Sequence, residues 1–493
     1  MSEPGHSPDA PAPPGSPPEI PHGLPMFTPR DADELARERR DLADLAGRPA
    51  LARWAGYARM TGPGWLQSAM TLGGGSAAAS LTIGAFFGYR LLWVQPLAMI
   101  LGVVMLSAVS HQTLSTGARP FAAMRRHVAP AVAWAWAVAS LLATVIWHFP
   151  QYALAAGMTE DMIAAASGWK PDAGSPAQTW LLLAIGALVL AVSIVITWNY
   201  GSGWRGIRVY ERALKAMVWL IIAAFVVVVL RAALQGHLRW GELARGFLPL
   251  YVPRDAKGIG TVLGAFGAAV GINMTFLFPY SLLARGWGKP HRGLSRFDLA
   301  TGMLLPFVVA TSLMIIAAAC TIHPLPLEGK LSPVEAARMI AAAGVGNTVG
   351  RLIFGFGILG MVLSSITTHM IVSGFAACEI LGIEPNGWKY KLACLIPTPG
   401  FLGVVLWQKM GFWVAVWTSA LCGLMLPIAY VAFFVLHNRR DYLGDDMPRG
   451  ARRWAWNLGM GLAILATLAY LVYAVQGPYA QGVREFLGKV FGK

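Results

Sequence analysis

The sequence predicts an all-α polytopic membrane protein, and three observations support this fold class. Hydrophobic residues make up 56% of the 493 residues and charged residues only 13%, a balance too apolar for a soluble chain. The mean hydropathy is +0.54, and several segments are longer than the ~20 apolar residues that a helix needs to cross a bilayer. The net charge of +15 comes from basic residues between apolar segments, where they orient a membrane protein and do not indicate a nucleic-acid partner.

The composition divides the chain into three regions. Residues 1–50 form a tail, expected to be cytoplasmic. Within it, residues 1–29 contain ten prolines and are expected to be disordered. Residues 30–59 alternate acids with arginines and can form an amphipathic helix that lies on a surface. Residues 51–476 form the transmembrane domain, and residues 477–493 form a short C-terminal tail.

Eleven apolar spans account for the transmembrane domain. In chain order they cover residues 62–88, 91–111, 130–156, 178–199, 213–234, 258–284, 299–322, 350–378, 391–408, 412–436 and 455–475. Alternate loops carry clusters of arginine and lysine, which predicts that these loops face the cytoplasm. The clusters are Arg119, Arg125 and Arg126; Arg205, Arg208 and Arg212; Arg285, Lys289, Arg292 and Arg296; and Arg439, Arg440, Arg449, Arg452 and Arg453. We therefore expect an inner (plasma) membrane protein with its N-terminus in the cytoplasm and its C-terminus outside.

The first span is interrupted near its middle by Gly73, Gly74 and Gly75, followed by Ser76. Each glycine weakens a helix by roughly 1 kcal/mol relative to alanine, so we expect a broken helix whose second half is capped by Ser76. The backbone groups freed by the break must line a protected cavity, because lipid cannot satisfy them. Transporters bind their substrates in such cavities. The alternative is that the glycines only allow two helices to pack closely.

The sixth span has a second interruption at Gly271 to Asn273, with Pro279 further along. Spans 1 and 6 are five spans apart, and this odd offset makes the two broken helices enter the membrane from opposite sides. Two inverted repeats, at about residues 60–235 and 258–436, would bring both breaks to the middle of the membrane. This is a LeuT-type 5+5 inverted repeat with an eleventh helix at 455–475, and it favours transport by alternating access.

Several motifs resemble the natural resistance-associated macrophage protein (NRAMP) family of divalent-metal transporters. GPGWL and GAFFGYRLLWV are similar to the family's first broken helix and the start of its second. Further similarity is found in RGIRVYER before span 5, SRFD before span 7, SSIT in span 8 and TSALCGLMLPIAYVAFFVLHNRRDYLGD in span 10. The resemblance covers residues 50–475 and implies the LeuT-type fold and secondary transport, with symport of a coupling ion.

The sequence departs from this family at the positions where the family binds its metal. The family's Asp-Pro-Gly-Asn motif matches Gly73 to Ser76, and its Met-Pro-His motif in span 6 matches Gly271 to Asn273. The resemblance also places the family's glutamine of span 10 at Ser419, and its acid pair of span 3 at His148 and Gln151. It therefore implies that the metal-binding acid and the methionine sulfur are absent.

The predicted site contains no metal ligands and is built around the two breaks, with further residues on spans 3 and 10. The substrate-binding set is Thr71, Gly73, Gly74, Gly75, Ser76, Gly271, Asn273 and Ser419, and the proton-coupling pair is His148 and Gln151. An imidazole can exchange a proton near neutral pH; the alternative for His148 is a structural histidine bonded to a backbone carbonyl. The same two interpretations apply to His369 in span 8. We expect the neighbouring hydroxyls of Ser364 to Thr368 to bond backbone carbonyls.

The distribution of acidic residues argues independently against a transition-metal cargo. None of the 24 aspartates and glutamates is near the centre of a predicted span, and the nearest ones, Glu211, Asp298 and Glu379, are at span ends. Of these, Glu211 is expected to pair with Arg208 one helical turn away. A bare Mn²⁺ or Fe²⁺ would meet too little negative charge to offset its desolvation. We therefore expect no high-affinity transport of these metals.

Other cargoes and one other role stay open. Glycine N–H groups and the positive end of a half-helix favour an anionic or neutral polar solute, as in amino-acid-like carriers. A largely hydrated cation such as Mg²⁺ and a non-transporting sensor of the same fold are the remaining alternatives. The sequence has no P-loop, nucleophile elbow or HExxH motif, which argues against an enzyme. Expected partners are a small solute or ion and the lipid bilayer, with no cofactor, no nucleic acid and a monomeric state.

Overall fold

The computed structural model describes Leu24 and residues 31–325, 333–344, 347–406 and 413–476, and every regular element in this part of the chain is a helix. Within it, eight helices are long and apolar enough to cross a membrane, or ten if two strongly bent helix pairs each count as one span. The all-α membrane class is therefore confirmed.

The helices of the first half are α1 (Ala32–Ala46), α2 (Ala50–Met60), α3 (Pro63–Thr71), α4 (Gly74–Phe87), α5 (Val94–Thr116), α6 (Pro120–His127), α7 (Pro130–Ser167), α8 (Pro176–Tyr200), α9 (Trp204–Leu234) and α10 (Trp240–Gly246). Those of the second half are α11 (Ala256–Ala269), α12 (Ile272–Ala284), α13 (Arg292–Asp298), α14 (Leu305–Thr321), α15 (Pro333–Gly344), α16 (Asn347–Leu381), α17 (Gly387–Ala393), α18 (Gly403–Leu406), α19 (Trp413–His437), α20 (Arg440–Leu443) and α21 (Gly450–Gln476). A π-helical segment, Leu299–Leu304, joins α13 to α14, and 3-10 segments cover Lys289–His291, Thr398–Leu402 and Gly444–Asp446.

Ten of the eleven predicted spans have a helical counterpart, and the ninth differs. Over 391–406 the chain forms the end of α17, a 3-10 turn and α18 instead of one continuous helix, and the last residues of the predicted span lie outside the described residues. Pro397 and Pro399 explain the difference, because proline lacks an N–H donor and disfavours the helical conformation of the residue before it. The turn packs tightly on α7: a Cβ added at Gly400 would lie 2.3 Å from the Cβ of His148.

The third span is longer than predicted. α7 continues to Ser167, so Asp161, which the sequence places in a loop, lies inside the helix and is buried. Arg338 and Arg351 bond its carboxylate, with Arg351 also donating to its carbonyl at 3.0 Å. This ion cluster ties α7 to α15 and to the start of α16, which packs along α7.

The N-terminal end of α3 is fixed by Asp298 at the end of α13. The carboxylate accepts hydrogen bonds from Gly64 N at 2.7 Å and Gly62 N at 3.2 Å. These are N–H groups at the start of a helix, which have no partner within the helix itself. All nine residues of α3, Pro63–Thr71, are buried, so this half-helix is enclosed by protein.

A buried ion pair lies beside this cap. Arg285 is 3.5 Å from Glu211 and donates to Met60 O at 2.7 Å. The predicted pair of Arg208 with Glu211 is therefore wrong: the Arg208 guanidinium instead lies 3.8 Å from Glu34 on α1. Both side chains of the Glu211–Arg285 pair are nearly inaccessible to solvent. Burial of Glu211 required a tertiary partner, because burying an unpaired charge is costly.

Residues 30–59 are largely helical but form two helices, α1 and α2, in place of the single helix expected, and α1 docks on the protein. Leu35 and Leu42 are buried. Glu38 accepts a hydrogen bond from Trp287 Nε1 at 3.0 Å and lies 3.2 Å from His291 Nε2. Since α2 leads directly into α3, the N-terminal segment is attached both to the broken helix and to the end of α12.

Candidate functional site

The predicted break in the first span is confirmed. α3 ends at Thr71, α4 begins at Gly74, and the two helix axes differ by 55°. The sixth span is also interrupted, because α11 ends at Ala269 and α12 begins at Ile272, with extended backbone at Gly271. This interruption is milder, since Gly258–Ala284 still counts as one span and is not one of the two strongly bent pairs. Both breaks expose the first N–H groups of a half-helix, and these groups need partners outside that helix.

Side chains stabilise the first break in a way that the sequence did not predict. Gly73 is the N-cap of α4, so Ser76 lies in the first turn and is not the cap that we expected. The Ser76 hydroxyl donates to Thr71 O at 2.6 Å and accepts from Gly73 N at 3.1 Å. Gln151 Oε1 accepts from Gly74 N at 3.0 Å. Gln151 thus caps α4 from α7.

The three glycines of the break have different surroundings. A Cβ added at Gly73 would lie 2.3 Å from Ser365 Oγ, and one at Gly75 would lie 2.2 Å from Cη2 of Trp147. A Cβ at Gly74 would meet its nearest atom, Gln151 Oε1, at 3.2 Å. The glycines therefore allow close helix packing in addition to the break, so the alternative that they only allow packing is wrong.

A small buried cavity lies between the two breaks. It offers about 20 Å³ to the centre of a water molecule, and roughly 10–15 Å³ are needed to hold one water. Its lining combines the ends of α3, α4, α11 and α12 with side chains from α7 and α16. The lining residues are Met70, Thr71, Gly73, Gly75, Ser76, Trp147, Gln151, Gly267, Ala268, Gly271, Asn273, Met274 and His369.

The structure thus brings most of the predicted site residues together. Of the predicted substrate-binding residues, Gly74 and Ser419 do not line the cavity but lie next to it. Ser419 Oγ would be 3.2 Å from a Cβ at Gly75. His148 lies behind the cavity wall, with its ring centroid 5.6 Å from that of His369.

Six lining residues were not in the predicted set: Met70, Trp147, Gly267, Ala268, Met274 and His369. The expectation that the site lacks methionine sulfur is therefore wrong, because Met70 and Met274 both line the cavity. Met274 Sδ accepts a hydrogen bond from Gly271 N at 3.4 Å. The signal was present in the sequence, since these methionines directly precede Thr71 and follow Asn273.

Two polar groups at the cavity lack partners among the described residues. Asn273 Oδ1 accepts from Met274 N at 3.1 Å, while Asn273 Nδ2 is buried without a hydrogen bond. His369 Nδ1 is also buried without a hydrogen-bond partner among the described residues. The hydroxyl of Thr71 is satisfied, because it donates to Ala269 O at 2.6 Å.

His148 is held by two backbone carbonyls. Its Nδ1 is 2.9 Å from Pro397 O and its Nε2 is 3.3 Å from Ile366 O. A neutral imidazole has one N–H and can donate to only one of them, whereas the protonated ring can donate to both. The bond to a backbone carbonyl that the structural interpretation of His148 requires is therefore present.

The cavity lining contains no aspartate or glutamate among the described residues. Over the same part of the chain, no group of three or more His, Cys, Asp or Glu residues is arranged to hold a metal ion. Asp161, Glu211 and Asp298 each bond arginines or backbone N–H groups elsewhere.

Comparison with known proteins supports a transport role. The family model described as natural resistance-associated macrophage protein-like matches residues 64–474. The divalent metal cation transporter MntH of Brucella suis biovar 1 is 22% identical over 394 residues, covering 78% of this chain and 81% of the relative. The manganese transporter pdt1 of Schizosaccharomyces pombe is 24% identical over 250 residues, covering 51% and 43%.

Solved structures confirm the LeuT-type fold. A manganese transporter from Eremococcus coleocola is similar with a TM-score of 0.66 at 16% identity, covering 89% of this chain and 92% of that one. MhsT in complex with L-phenylalanine gives a TM-score of 0.58 at 16% identity, covering 83% and 98%. At these identities the likeness concerns the fold alone.

Proposed function

Because the chain belongs to the natural resistance-associated macrophage protein-like family, we propose that it is a secondary transporter that moves its substrate by alternating access around the cavity between the two helix breaks. The observation that carries this proposal is the cavity itself, which is bounded by the ends of four half-helices. Broken helices that meet at mid-membrane are the usual substrate site of such transporters. We further propose that the protein acts as a monomer in the plasma membrane, with the N-terminus in the cytoplasm.

Alternating access predicts that the cavity opens to one side at a time. The α3 end is closed by Asp298, whose carboxylate holds Gly62 and Gly64. A separate vestibule of about 800 Å³ lies at the opposite side, beyond the C-terminal end of α4. Release of α3 from Asp298 is therefore expected to open the closed side and to close the vestibule side.

A thiol-labelling experiment tests this proposal. The four native cysteines, all buried, are replaced by alanine, and Thr71→Cys is introduced in sealed vesicles of known orientation. Because position 71 is buried in this conformation, a membrane-impermeant maleimide is expected to label slowly and from one side at a time, and Asp298→Asn is expected to increase labelling from the α3 side. Leu51→Cys on α2, 78% exposed, serves as a control whose labelling stays the same. Simultaneous labelling from both sides would indicate a channel, and labelling unaffected by Asp298→Asn would indicate a non-transporting sensor.

We propose that the cargo is not Mn²⁺ or Fe²⁺, although the relatives are named as manganese or divalent-metal transporters. The described lining offers hydroxyl, amide, thioether and imidazole groups but no carboxylate. Neutral ligands do not supply the negative charge that Mn²⁺ and Fe²⁺ need to offset their desolvation. A hydrated Mg²⁺ is also disfavoured, because about 20 Å³ of accessible space holds one or two waters and not a hydration shell.

Restoring a carboxylate tests this cargo proposal. Gly73→Asp alone would place a Cβ 2.3 Å from Ser365 Oγ, so it is combined with Ser365→Ala. Proteoliposomes with the native chain are expected to take up no more Mn²⁺ than protein-free liposomes. The Asp variant is expected to bind Mn²⁺ in calorimetry, whereas the matched Gly73→Asn/Ser365→Ala variant is not. Micromolar Mn²⁺ binding by the native chain would refute the proposal.

We propose that His148 carries the coupling proton. It is buried, and a protonated ring would find a carbonyl acceptor for each of its two N–H groups. Gln151, one turn further along α7, links this histidine to the break by bonding Gly74 N. An amide cannot take up a proton in this range, so Gln151 would contribute by positioning α4.

A further inference from the structure

The cavity between the breaks presents hydrogen-bond donors without negative charge in its described lining. Resting on the transporter function proposed above, we propose that its substrate is a small anion, of the size of chloride, nitrate or formate, held by N–H groups at the two helix breaks. The proposal follows from the helix ends, the unpartnered donors, the occupied carbonyls, the cavity size and the charge of the vestibule.

Two helix N-termini meet at the cavity. α4 has 14 residues and begins at Gly74, and α12 has 13 residues and begins at Ile272. Each N-terminus carries a partial positive charge of roughly 0.5 from its aligned peptide dipoles. Gly73, Gly75 and Gly271 line the cavity, so an anion can approach the backbone without meeting a side chain.

Two buried side chains supply further donors. Asn273 and His369 are 2% and 3% exposed, and both line the cavity. The bond from Met274 N fixes Asn273 Oδ1, so the Asn273 amide nitrogen is the group left without a partner among the described residues. His369 Nδ1 lacks a partner in the same part of the chain. A buried unsatisfied polar group costs about 1–3 kcal/mol, which an acceptor ligand would recover.

Several carbonyl oxygens at the C-terminal ends of α3 and α11 accept hydrogen bonds from the protein's own hydroxyls. At the C-terminal end of α3, the protein's own hydroxyls bond the carbonyls of Ala69, Met70 and Thr71. At the end of α11, the Thr71 hydroxyl bonds the carbonyls of Ala268 and Ala269. Backbone groups at both ends of the breaks are thus bonded within the protein, since Gly73 N, Gly74 N and Gly271 N also have side-chain acceptors. The Asn273 amide nitrogen is different, because it has no partner among the described residues.

The size of the cavity restricts the anion. About 20 Å³ is accessible to the centre of a water molecule, which corresponds to one or two waters. A halide, a nitrate or the smallest carboxylate matches this space in the present conformation. A solute with a bulky side chain does not.

The charge of the vestibule is complementary to that of an anionic substrate. The vestibule lies at the C-terminal ends of α4, α9 and α14. Among the described residues its lining includes four charged side chains and two histidines: Arg90, His237, Arg239, Glu242, Arg245 and His323. Three arginines thus face one glutamate, with Arg239 and Glu242 paired at 3.2 Å. Because a helix rises 1.5 Å per residue, the length of α4 places the vestibule about 20 Å from the break. A positive mouth raises the local concentration of anions.

Binding of sodium formate, sodium chloride and sodium nitrate to the purified protein tests the proposal, with sodium gluconate as an anion too large for the cavity. Calorimetry at constant ionic strength is expected to show binding of at least one small anion. Asn273→Asp replaces the free donor by a negative charge and is expected to weaken binding by about tenfold or more. Asn273→Leu removes the donor without adding charge and is expected to weaken anion binding by a smaller factor. The control Asn199→Asp makes the same charge change at an exposed position and is expected to bind like the native chain.

Three results would overturn the anion proposal. The first is absence of binding for all three small anions, and the second is binding that Asn273→Asp does not weaken. The third is binding of Ag⁺, a probe for the two thioethers and the imidazole, in the absence of anion binding. None of these results affects the labelling of Thr71→Cys, so failure of the anion proposal and failure of alternating access are distinguishable.

Discussion

Alanine substitution at consecutive glycines of the break provides a sharp test of its geometry. The sequence gives no reason to separate Gly74 from Gly75, but their surroundings differ. A Cβ at Gly75 would lie 2.2 and 2.7 Å from Cη2 and Cζ3 of Trp147, far below the ordinary contact distance. Trp147 is only 7% exposed, so its ring cannot move away without disturbing α7. Overpacking of this kind costs about 1–3 kcal/mol.

At Gly74 an added methyl group would meet less steric conflict than at Gly75. Its Cβ would meet Gln151 Oε1 at 3.2 Å and a terminal methyl of Leu154 at 3.3 Å, both at the ends of flexible side chains. Alanine in place of glycine within a helix gains roughly 0.5–1 kcal/mol. We therefore expect Gly74→Ala to be close to neutral and Gly75→Ala to be destabilising.

Thermal unfolding of the purified variants in detergent measures the difference. Trp147→Phe removes the two ring atoms that the added methyl would strike. The double variant Gly75→Ala/Trp147→Phe is therefore expected to be less destabilised than the sum of the two single variants. Equal unfolding midpoints for Gly74→Ala and Gly75→Ala, or strict additivity in the double variant, would refute this description of the break.

Further predictions concern the charged clusters and His148. Asp298→Asn is expected to lower the unfolding midpoint, by about 1–3 kcal/mol in free energy, because it weakens the cap on α3; an unchanged midpoint would contradict this. Asp161→Asn is expected to cost more, about 3–5 kcal/mol, because it leaves two arginines without their carboxylate, and the same melting assay checks it. Glu38→Ala is expected to speed deuterium exchange in α1, whereas Glu34→Ala, from an exposed pair at 3.8 Å, is expected to leave it unchanged. His148→Gln is expected to stop proton flux in proteoliposomes, and unchanged flux would remove His148 from the proton route.

Local features of the sequence were sufficient to predict both breaks. A run of glycines in an apolar span weakens that helix wherever it lies in the fold, and Gly271 acts in the same way in the sixth span. The positions of most spans were predicted for a similar reason, since apolar length is a property of the segment itself. The prediction of a continuous ninth helix was wrong because Pro397 and Pro399 interrupt the helix, although the residues around them are apolar.

Contacts between distant segments were beyond sequence reasoning. The cap that Asp298 provides to Gly64 joins residues 234 positions apart, and the partner of Glu211 is Arg285 rather than its helical neighbour Arg208. Met274 and His369 were missed as lining residues for a related reason. Which face of a half-helix meets the cavity depends on where the helix begins, and a prediction uncertain by a few residues cannot fix that face.

The hydroxyls around the break decide which kind of charge it favours. A broken helix offers carbonyls at one end and N–H groups at the other, so its geometry alone suits a cation or an anion equally. The expectation that Ser364 and Ser365 bond backbone carbonyls is confirmed, and the carbonyls belong to the end of α3. Ser76 bonds the last carbonyl of the same helix. These three hydroxyls partly neutralise the negative end of the break, and no carboxylate in the described lining adds negative charge. The unpartnered amide nitrogen of Asn273 then favours an anion over a cation.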